Sequence, residues 1–452
     1  MKKIVAFLLA ITAITAAPLA QQYSGDWSGN LNVQGISLPI VFHITETKGS
    51  YTALMDSPQQ KVFGLKVKTV TTSAEKIRLD MSDIGIMFDA KLLHDSLDGS
   101  FAQAGQVFAL KMGRMKEPQV LPRRPQEPKP EFPYSIQDVT FANEKAGISL
   151  AGTLTVPKGK GPFPAVVLVS GSGPQNRDEE ILGHKPFWVI ADYLTRNGIA
   201  VLRYDDRGTA GSAGDFRSAT SADFASDARA AVEFLRKQPG VNMKKVGVIG
   251  HSEGGMIAPM VAAEDPELGF IVLLAGPGIP IEKLMMMQSE LSIRAAGASE
   301  TEIAQAQKLN SQCYDIVIHQ QDPMKARQEI KEVLNAEIPD SNEVNNLVNQ
   351  VSTPWFRYFI AYDPQPVLEK VKCPVLALNG DKDRQVTAAE NLDGIRKSME
   401  KGGNRNFEIH EIKGKNHLFQ TTSTGLPSEY GDLEETFSPE VLKIMSDWIS
   451  KR

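Results

Sequence analysis

The stretch that most narrows the folds open to this chain is VGVIGHSEGGMIAPM, Val246 to Met260. Branched aliphatics run straight into a serine flanked by glycines, and further apolar residues follow. A run such as VGVIG suits a strand buried on both faces, and the segment after it reads as an apolar helix. Ser252 therefore stands at a tight strand-to-helix turn, with its backbone strained and its Oγ exposed at the carboxyl edge of a sheet. Side chains two positions to either side would meet the neighbouring strand and helix, which accounts for Gly250 and Gly254. The helix N-terminus adds unpaired N–H groups and the positive end of a dipole, suited to an oxyanion.

The surrounding rhythm is that of a parallel α/β sheet. YSIQDVTF and ISLAGTLTVP form a strand pair, and FPAVVLVSGSGP is a continuous apolar strand. PFWVIADYLTRNG has helical spacing up to Gly198, and IAVLRYDDRG is strand again. TSADFASDARAAVEFLRKQPG opens on a Ser or Thr cap and stops at Gly240, as a helix does. GFIVLLAG, CPVLALNG and FEIHEI supply the later strands, so strand and helix alternate throughout. One stretch, residues 279–362, is helical in pattern and lies between two sheet strands. It is expected to leave the sheet as a helical cap, with Met285, Met286 and Met287 packing between helices. Thr353 to Pro364 groups aromatics where the cap rejoins the core, either as a pocket wall or as hinge packing.

Ahead of this region the pattern differs. Residues 21–115 carry short alternating runs punctuated by Gly, Asp, Ser and Asn, which predict a small antiparallel sheet or barrel. The opening DWSGNL and the later LDGSF resemble lipocalin-like meanders, and the expected role is that of a structural or docking accessory domain. Residues 116–134, dense in proline and charge, read as a semi-rigid linker at a domain boundary. At the N-terminus a charged head at Lys2 and Lys3, an apolar stretch and small residues near Ala20 read as a secretory signal peptide over residues 1–20. A periplasmic or extracellular location follows as an expectation.

Length and composition bound the rest. A chain of 452 residues is expected to hold two or three domains. A net charge of −5 and a pI near 5.9 leave no basic footprint for nucleic acid. No stretch has the length and flanks of a membrane span. With neither C-x-x-C nor H-E-x-x-H present, no metal-site spacing is found and no cofactor is expected. His43, His94, His184 and His319 are scattered singly and read as structural or exposed. Cys313 and Cys373 read as two free thiols.

A serine hydroxyl is a poor nucleophile near neutral pH and needs a base, which in turn needs an orienting acid. On a sheet of this kind the order along the chain is Ser, then Asp or Glu, then His. His410 lies inside the alternating FEIHEI and hence on a strand. His417, in KGKNHLF, falls in the loop past that strand's carboxyl end, where chemistry collects in open α/β sheets, and is the candidate base. The acid should follow the preceding strand, where Asp381 and Asp383 compete.

At this point the chain resembles a known family. SGSGPQNRDE, YDDRGTAGSAG, GHSEGG, YDPQP, NGDKDRQV and NHLFQ stand in the order found in α/β-hydrolases. They are similar to the secreted bacterial carboxylesterase branch, to serine aminopeptidase-like hydrolases and, more distantly, to prolyl-oligopeptidase-type catalytic domains. The resemblance covers residues 135–452. It implies a mostly parallel sheet flanked by helices, with the cap inserted at 279–362 and a small all-β domain in front. Gly380, Asp383 and Val386 match the family's G-x-x-D-x-x-V acid motif, which favours Asp383 and keeps Asp381 as the alternative. The resemblance also implies an oxyanion hole from the backbone N–H groups of Glu253 and of Ser172, with Gly173 the alternative to Ser172. Ala210 departs from the glycine many relatives carry in that turn.

The reaction so implied is hydrolysis of a small acyl ester by an acyl-enzyme route on Ser252, Asp383 and His417. A serine peptidase on the same triad is the second reading, with Glu179 or Glu180 available to hold a free amine. The cluster Arg177, Asp178, Glu179 reads equally well as solvated ion pairs. A non-catalytic binding protein is a third reading, opposed by the joint presence of the strained turn, base and acid.

Overall fold

In a computed structural model of the chain, residues 22–33, 36–58, 62–103, 106–115 and 122–452 are described. The expected signal peptide and residues 116–121 of the expected linker lie outside them. The chain divides into two compact units that meet in sequence near Gln119 and Val120.

The first unit contains strands β1 (Gly25–Val33), β2 (Ile36–Thr47), β3 (Ser50–Ser57), β4 (Val62–Lys66) and β5 (Thr69–Thr72). It continues with β6 (Lys76–Met81), β7 (Ile86–Leu93), β8 (Ser96–Gln103) and β9 (Gln106–Arg114). They form one sheet in the order β4-β3-β2-β1-β9-β8-β7-β6-β5. The link between the two edge strands joins them: Val67 N–H donates to Ala53 O of β3 at 3.0 Å, and Lys68 N–H to Asp80 O of β6 at 2.9 Å. Alternation sends one face inward, where Trp27, Phe42, Phe88, Phe101, Leu110 and Met112 are buried together. The Phe42 and Phe88 rings stack at 5.3 Å. Side chains fill this interior, as small barrels require.

The second unit is built on strands β10 (Tyr134–Asn143), β11 (Ile148–Pro157), β12 (Phe163–Val169) and β13 (Ala200–Tyr204). Strands β14 (Val241–His251), β15 (Phe270–Leu274), β16 (Val375–Gly380) and β17 (Phe407–Ile412) complete it. The order is β10-β11-β13-β12-β14-β15-β16-β17. The pairs β10–β11 and β11–β13 are antiparallel, and from β13 to β17 every pair is parallel. Every residue of β13, β15 and β16 is buried, which is why they read as largely apolar runs, broken only by the buried Arg203 and Asn379.

Helices cover both faces. The first is α1 (Pro186–Arg196), followed by α2 (Ser221–Arg236) and α3 (Glu253–Glu264). A capping box between Thr220 and Asp223 starts α2. After β15 come five consecutive helices, α4 (Ile281–Ala295), α5 (Glu300–His319), α6 (Pro323–Glu337), α7 (Ser341–Val351) and α8 (Pro354–Ile360). A short α9 (Gln365–Leu368) leads into β16, α10 (Ala388–Lys401) follows it, and α11 (Pro439–Ile449) ends the unit. One core lies between the sheet and α2, α3 and α10, and another between the sheet and α1 and α11. The cap helices α4–α8 own a third core, into which α3 sends Met256. Cys313, in α5, and Cys373, ahead of β16, are both unpaired.

The described part of the proline-rich stretch, residues 122–133, has neither helix nor strand but is fastened to the second unit. The Arg124 guanidinium donates to the carbonyls of Leu182 at 3.0 Å, Gly431 at 2.6 Å and Leu433 at 2.9 Å. The Gln126 amide donates to Phe437 O at 2.7 Å, and its carbonyl accepts the N–H groups of Thr436 and Phe437. A fragment beginning at Phe132 therefore loses a strap that one beginning at Val120 keeps. The shorter fragment is expected to be less stable by about 2–4 kcal/mol, from several lost hydrogen bonds including those of a charged donor. Paired urea melts check this, and coincident midpoints would show that the strap carries no stability.

Candidate active site

Ser252 occupies the turn between β14 and α3 with φ +53° and ψ −115°, a backbone conformation that a non-glycine residue adopts only under constraint. Its N–H donates to Leu274 O at 2.9 Å and its carbonyl accepts from Gly255 N at 2.9 Å. The glycines are a steric necessity. A Cβ on Gly250 would lie 1.9 Å from the Gly254 carbonyl oxygen, and one on Gly254 would lie 2.1 Å from Val169 O. Both obstacles are backbone and cannot swing aside.

Glu253 opens α3, so its N–H is among the helix-terminal amides that have no intrahelical acceptor. Its side chain turns inward instead of to solvent. The buried carboxylate accepts from Ser221 Oγ at 2.5 Å and from Trp355 Nε1 of α8 at 2.9 Å. Burial pushes this carboxyl above its usual range, against the lowering effect of those two donors. Trp355 thus ties the returning cap to the residue beside the serine, while Phe356, Phe359 and Ile360 pack in the cap core.

The loop after β12 passes close to the serine, since a Cβ on Gly171 would stand 3.2 Å from Ser252 Cβ. The Gly171 N–H donates to Glu179 Oε1 at 2.8 Å, so Ser172 is the next amide along this loop. Gly173 follows with φ +96°, a turn open to glycine.

His417 lies in the loop beyond β17, and its Nδ1 meets Asp383 Oδ2 at 2.8 Å, with both side chains buried. The other oxygen of Asp383 accepts the N–H groups of Gln385 at 2.8 Å and Val386 at 2.9 Å, which fixes the carboxylate. Asp381 faces away and accepts Gly414 N at 2.6 Å. Of the two aspartates, the structure brings Asp383 to the histidine. His410 sits on β17 as an exposed strand residue. Among the described residues no hydrogen bond joins Ser252 Oγ to the His417 ring. Catalytic contacts of this kind commonly tighten only with substrate in place.

Two groups at the site, His251 and Asp206, escaped the sequence reading, and a third, Glu179, has partners that neither of its expected roles included. His251 precedes the serine and is buried. Its Nδ1 lies 2.9 Å from Glu179 Oε1 and its Nε2 lies 2.9 Å from the backbone carbonyl of His417. Glu179, inside an RDEE run that reads as solvated charge, is 4% exposed. Its neighbours are structural as well: Arg177 pairs with Asp205 at 2.7 Å, and Asp178 pairs with Arg203. Asp206 accepts from Ser170 Oγ and from Gln175 N, both at 2.9 Å. Burial pushes its carboxyl up to about 8 against those hydrogen bonds, with the charges of Glu253 and Glu179 adding to the rise. Among the described residues no cluster of His, Cys, Asp and Glu is arranged to hold a metal ion, and no helix is long and apolar enough to cross a membrane.

The profile of the X-Pro dipeptidyl-peptidase (S15) family matches residues 146–410. Esterase EstD of Thermotoga maritima is 29% identical over 320 residues, covering 70% of this chain and 70% of that protein. An uncharacterized protein of Pseudomonas aeruginosa is 33% identical over 148 residues, 31% of this chain and 38% of its own length. Among solved structures, an esterase of Pyrococcus furiosus aligns with 75% of this chain and 99% of its own, at a TM-score of 0.44 and 15% identity. The family match spans more than half of the chain and contains the serine elbow, Glu179 and Asp383. The chain therefore belongs to the X-Pro dipeptidyl-peptidase (S15) family and has the α/β-hydrolase fold.

Proposed function

We propose that this chain is an exported serine hydrolase that cleaves small carboxylic esters with Ser252, His417 and Asp383. The observation that carries this reading is the buried Asp383–His417 contact on the loops beside a strained serine turn. Ser252 Oγ attacks the acyl carbonyl while His417 Nε2 takes its proton. Asp383 holds the Nδ1 proton and steadies the imidazolium that forms. The amides of Glu253 and Ser172 face the oxygen that becomes negative. His417 then protonates the leaving alcohol, and water hydrolyses the acyl-enzyme through the same histidine. The name of the Thermotoga relative supports an ester substrate. Export rests on the charged head and apolar stretch of residues 1–20.

A peptidase is the second reading, favoured by the family's description. An exopeptidase needs a carboxylate for the substrate's free amine, and Glu179 is committed to His251 and Gly171. Glu180 stands 3.9 Å from Lys185 Nζ. These commitments favour the ester. The mature protein is expected to turn over short p-nitrophenyl esters faster than aminoacyl or X-Pro anilides. Faster anilide turnover would move the assignment to the peptidase.

Two substitutions test the machinery. Ser252→Ala is expected to remove both ester hydrolysis and labelling by a fluorophosphonate probe while the circular dichroism spectrum stays that of the native protein. Labelling that persists in this variant would put the nucleophile elsewhere. Asp383→Asn is expected to lower kcat by ~10³–10⁴-fold, as loss of the tautomer-fixing acid does in other triads. Asp381→Asn, whose carboxylate meets only a backbone amide of the neighbouring loop, should cost far less, and the reverse ranking would reassign the acid.

A further inference from the structure

Behind the proposed triad lies a second pair of titratable groups that the reaction does not use. His251 Nδ1 faces Glu179 Oε1 and its Nε2 faces the His417 carbonyl oxygen, each at 2.9 Å. Glu179 Oε1 also accepts the Gly171 N–H, so it already serves as an acceptor. A backbone carbonyl can only accept, and an ionised carboxylate can only accept. A neutral imidazole carries one N–H and could satisfy only one of these partners. Both contacts are met when both ring nitrogens carry protons.

We infer that His251 is held as an imidazolium behind His417 and is a positioning residue that joins the oxyanion loop to the histidine loop through Glu179. The chain of contacts runs from Gly171 N through the Glu179 carboxylate and the His251 ring to the His417 backbone. It therefore links the loop after β12, the serine turn and the His417 loop. The inference rests on the hydrolase reading for its effect on rate, but the state of the His251 ring does not.

The charges around His251 are Glu179 on its Nδ1 side, the His417 ring with a centroid 4.9 Å away, and Asp383 beyond that ring. Asp206, in the loop after β13, is pushed up to about 8 by burial, with the charges of Glu253 and Glu179 adding to the rise. Burial works against charge on His251. The charge and hydrogen bond of Glu179, the His417 carbonyl and Asp383 outweigh it and raise the group above its ordinary value. The stabilisation this provides is complete below about pH 6.5, the ordinary histidine value, and fades as pH rises through the raised folded value.

The His251 ring anchors the His417 backbone through its Nε2, so the pair sets where the His417 side chain starts. Loss of that anchor should lower kcat by on the order of tenfold while KM changes little, as misplacement of a reacting group does.

The test has two arms. In the first, ring ¹⁵N spectra of the full-length protein at pH 7 are expected to show two protonated nitrogens on His251. One unprotonated nitrogen there overturns the proposal whatever the activity. In the second, kcat and KM for a short p-nitrophenyl ester compare the wild type with Glu179→Gln and His251→Phe. Both variants are expected to lower kcat with KM little changed. His251→Phe, which removes both hydrogen bonds, should lower kcat further than Glu179→Gln, whose amide can still bridge. A kcat that stays at the wild-type value in His251→Phe, or a loss seen in KM alone, overturns the positioning role. Should Ser252→Ala retain full activity, the assignment of Ser252 as nucleophile fails while the ¹⁵N arm still decides the state of His251.

Discussion

The Gly254 backbone passes so near both Gly250 and Val169 that no side-chain atom fits between them, and the second unit's chemistry depends on that approach. β12 and β14 are neighbours in the sheet, with Val169 paired to Gly250. The first turn of α3 presses onto that pair. Because the helix starts this close, Ser252 is driven into its positive-φ conformation and the helix's first N–H groups stand beside the hydroxyl. The loop after β12 passes close enough to the same serine that a Cβ on Gly171 would stand 3.2 Å from Ser252 Cβ. A single methyl group at either position 250 or 254 would part strand from helix and displace Ser252, the loop after β12 and the helix N-terminus together.

Around this turn the protein gathers four carboxyl groups that are wholly or partly buried. Glu179, Glu253 and Asp383 are each at most 4% exposed, and Asp206 is partly buried. They are not all handled alike. Asp383 and Glu179 each face a histidine, Glu253 faces neutral donors from Ser221 and Trp355, and Asp206 is pushed towards its protonated form. Pairing and protonation are the two ways to avoid the desolvation penalty of an isolated carboxylate. The result is a site whose fields are fixed by groups largely shielded from water.

Much of the second unit was legible in the sequence because its signals are local. Apolar runs with turn residues at their ends mark β12 to β17, and the Thr220 cap and Gly240 bracket α2 with its short exit turn. The serine turn announces itself within six residues, and His417 is separable from His410 because FEIHEI alternates and KGKNHLF does not. The choice of Asp383 over Asp381 needed the family motif, since two aspartates in one loop look alike until one meets a ring. The missing parts are polar contacts made across long stretches of chain. His251 and Glu179 are 72 residues apart, and Glu253 and Trp355 are 102 apart. No periodicity links such partners, and a run such as RDEE looks solvated until its surroundings are known. Arg124 and Gln126 escaped for the same reason, because proline and charge read as a free linker whatever surface lies beside them.

The cap leaves the sheet and returns to it at one point. Ile281 N–H at the start of α4 donates to Tyr362 O just past α8 at 3.0 Å. The excursion between β15 and β16 is thus closed by its own hydrogen bond, and the pairing of Ile271 with Val375 does not depend on what lies within it. Such an insertion behaves as a cassette: its helices can lengthen, shorten or be exchanged by recombination without disturbing the register of the strands that carry the chemistry. The anchors any replacement must respect are few, namely the indole that meets Glu253 and the apolar seat formed by Met256 and Val386. Selection for new substrates can therefore act on the cap while selection for folding acts on the sheet.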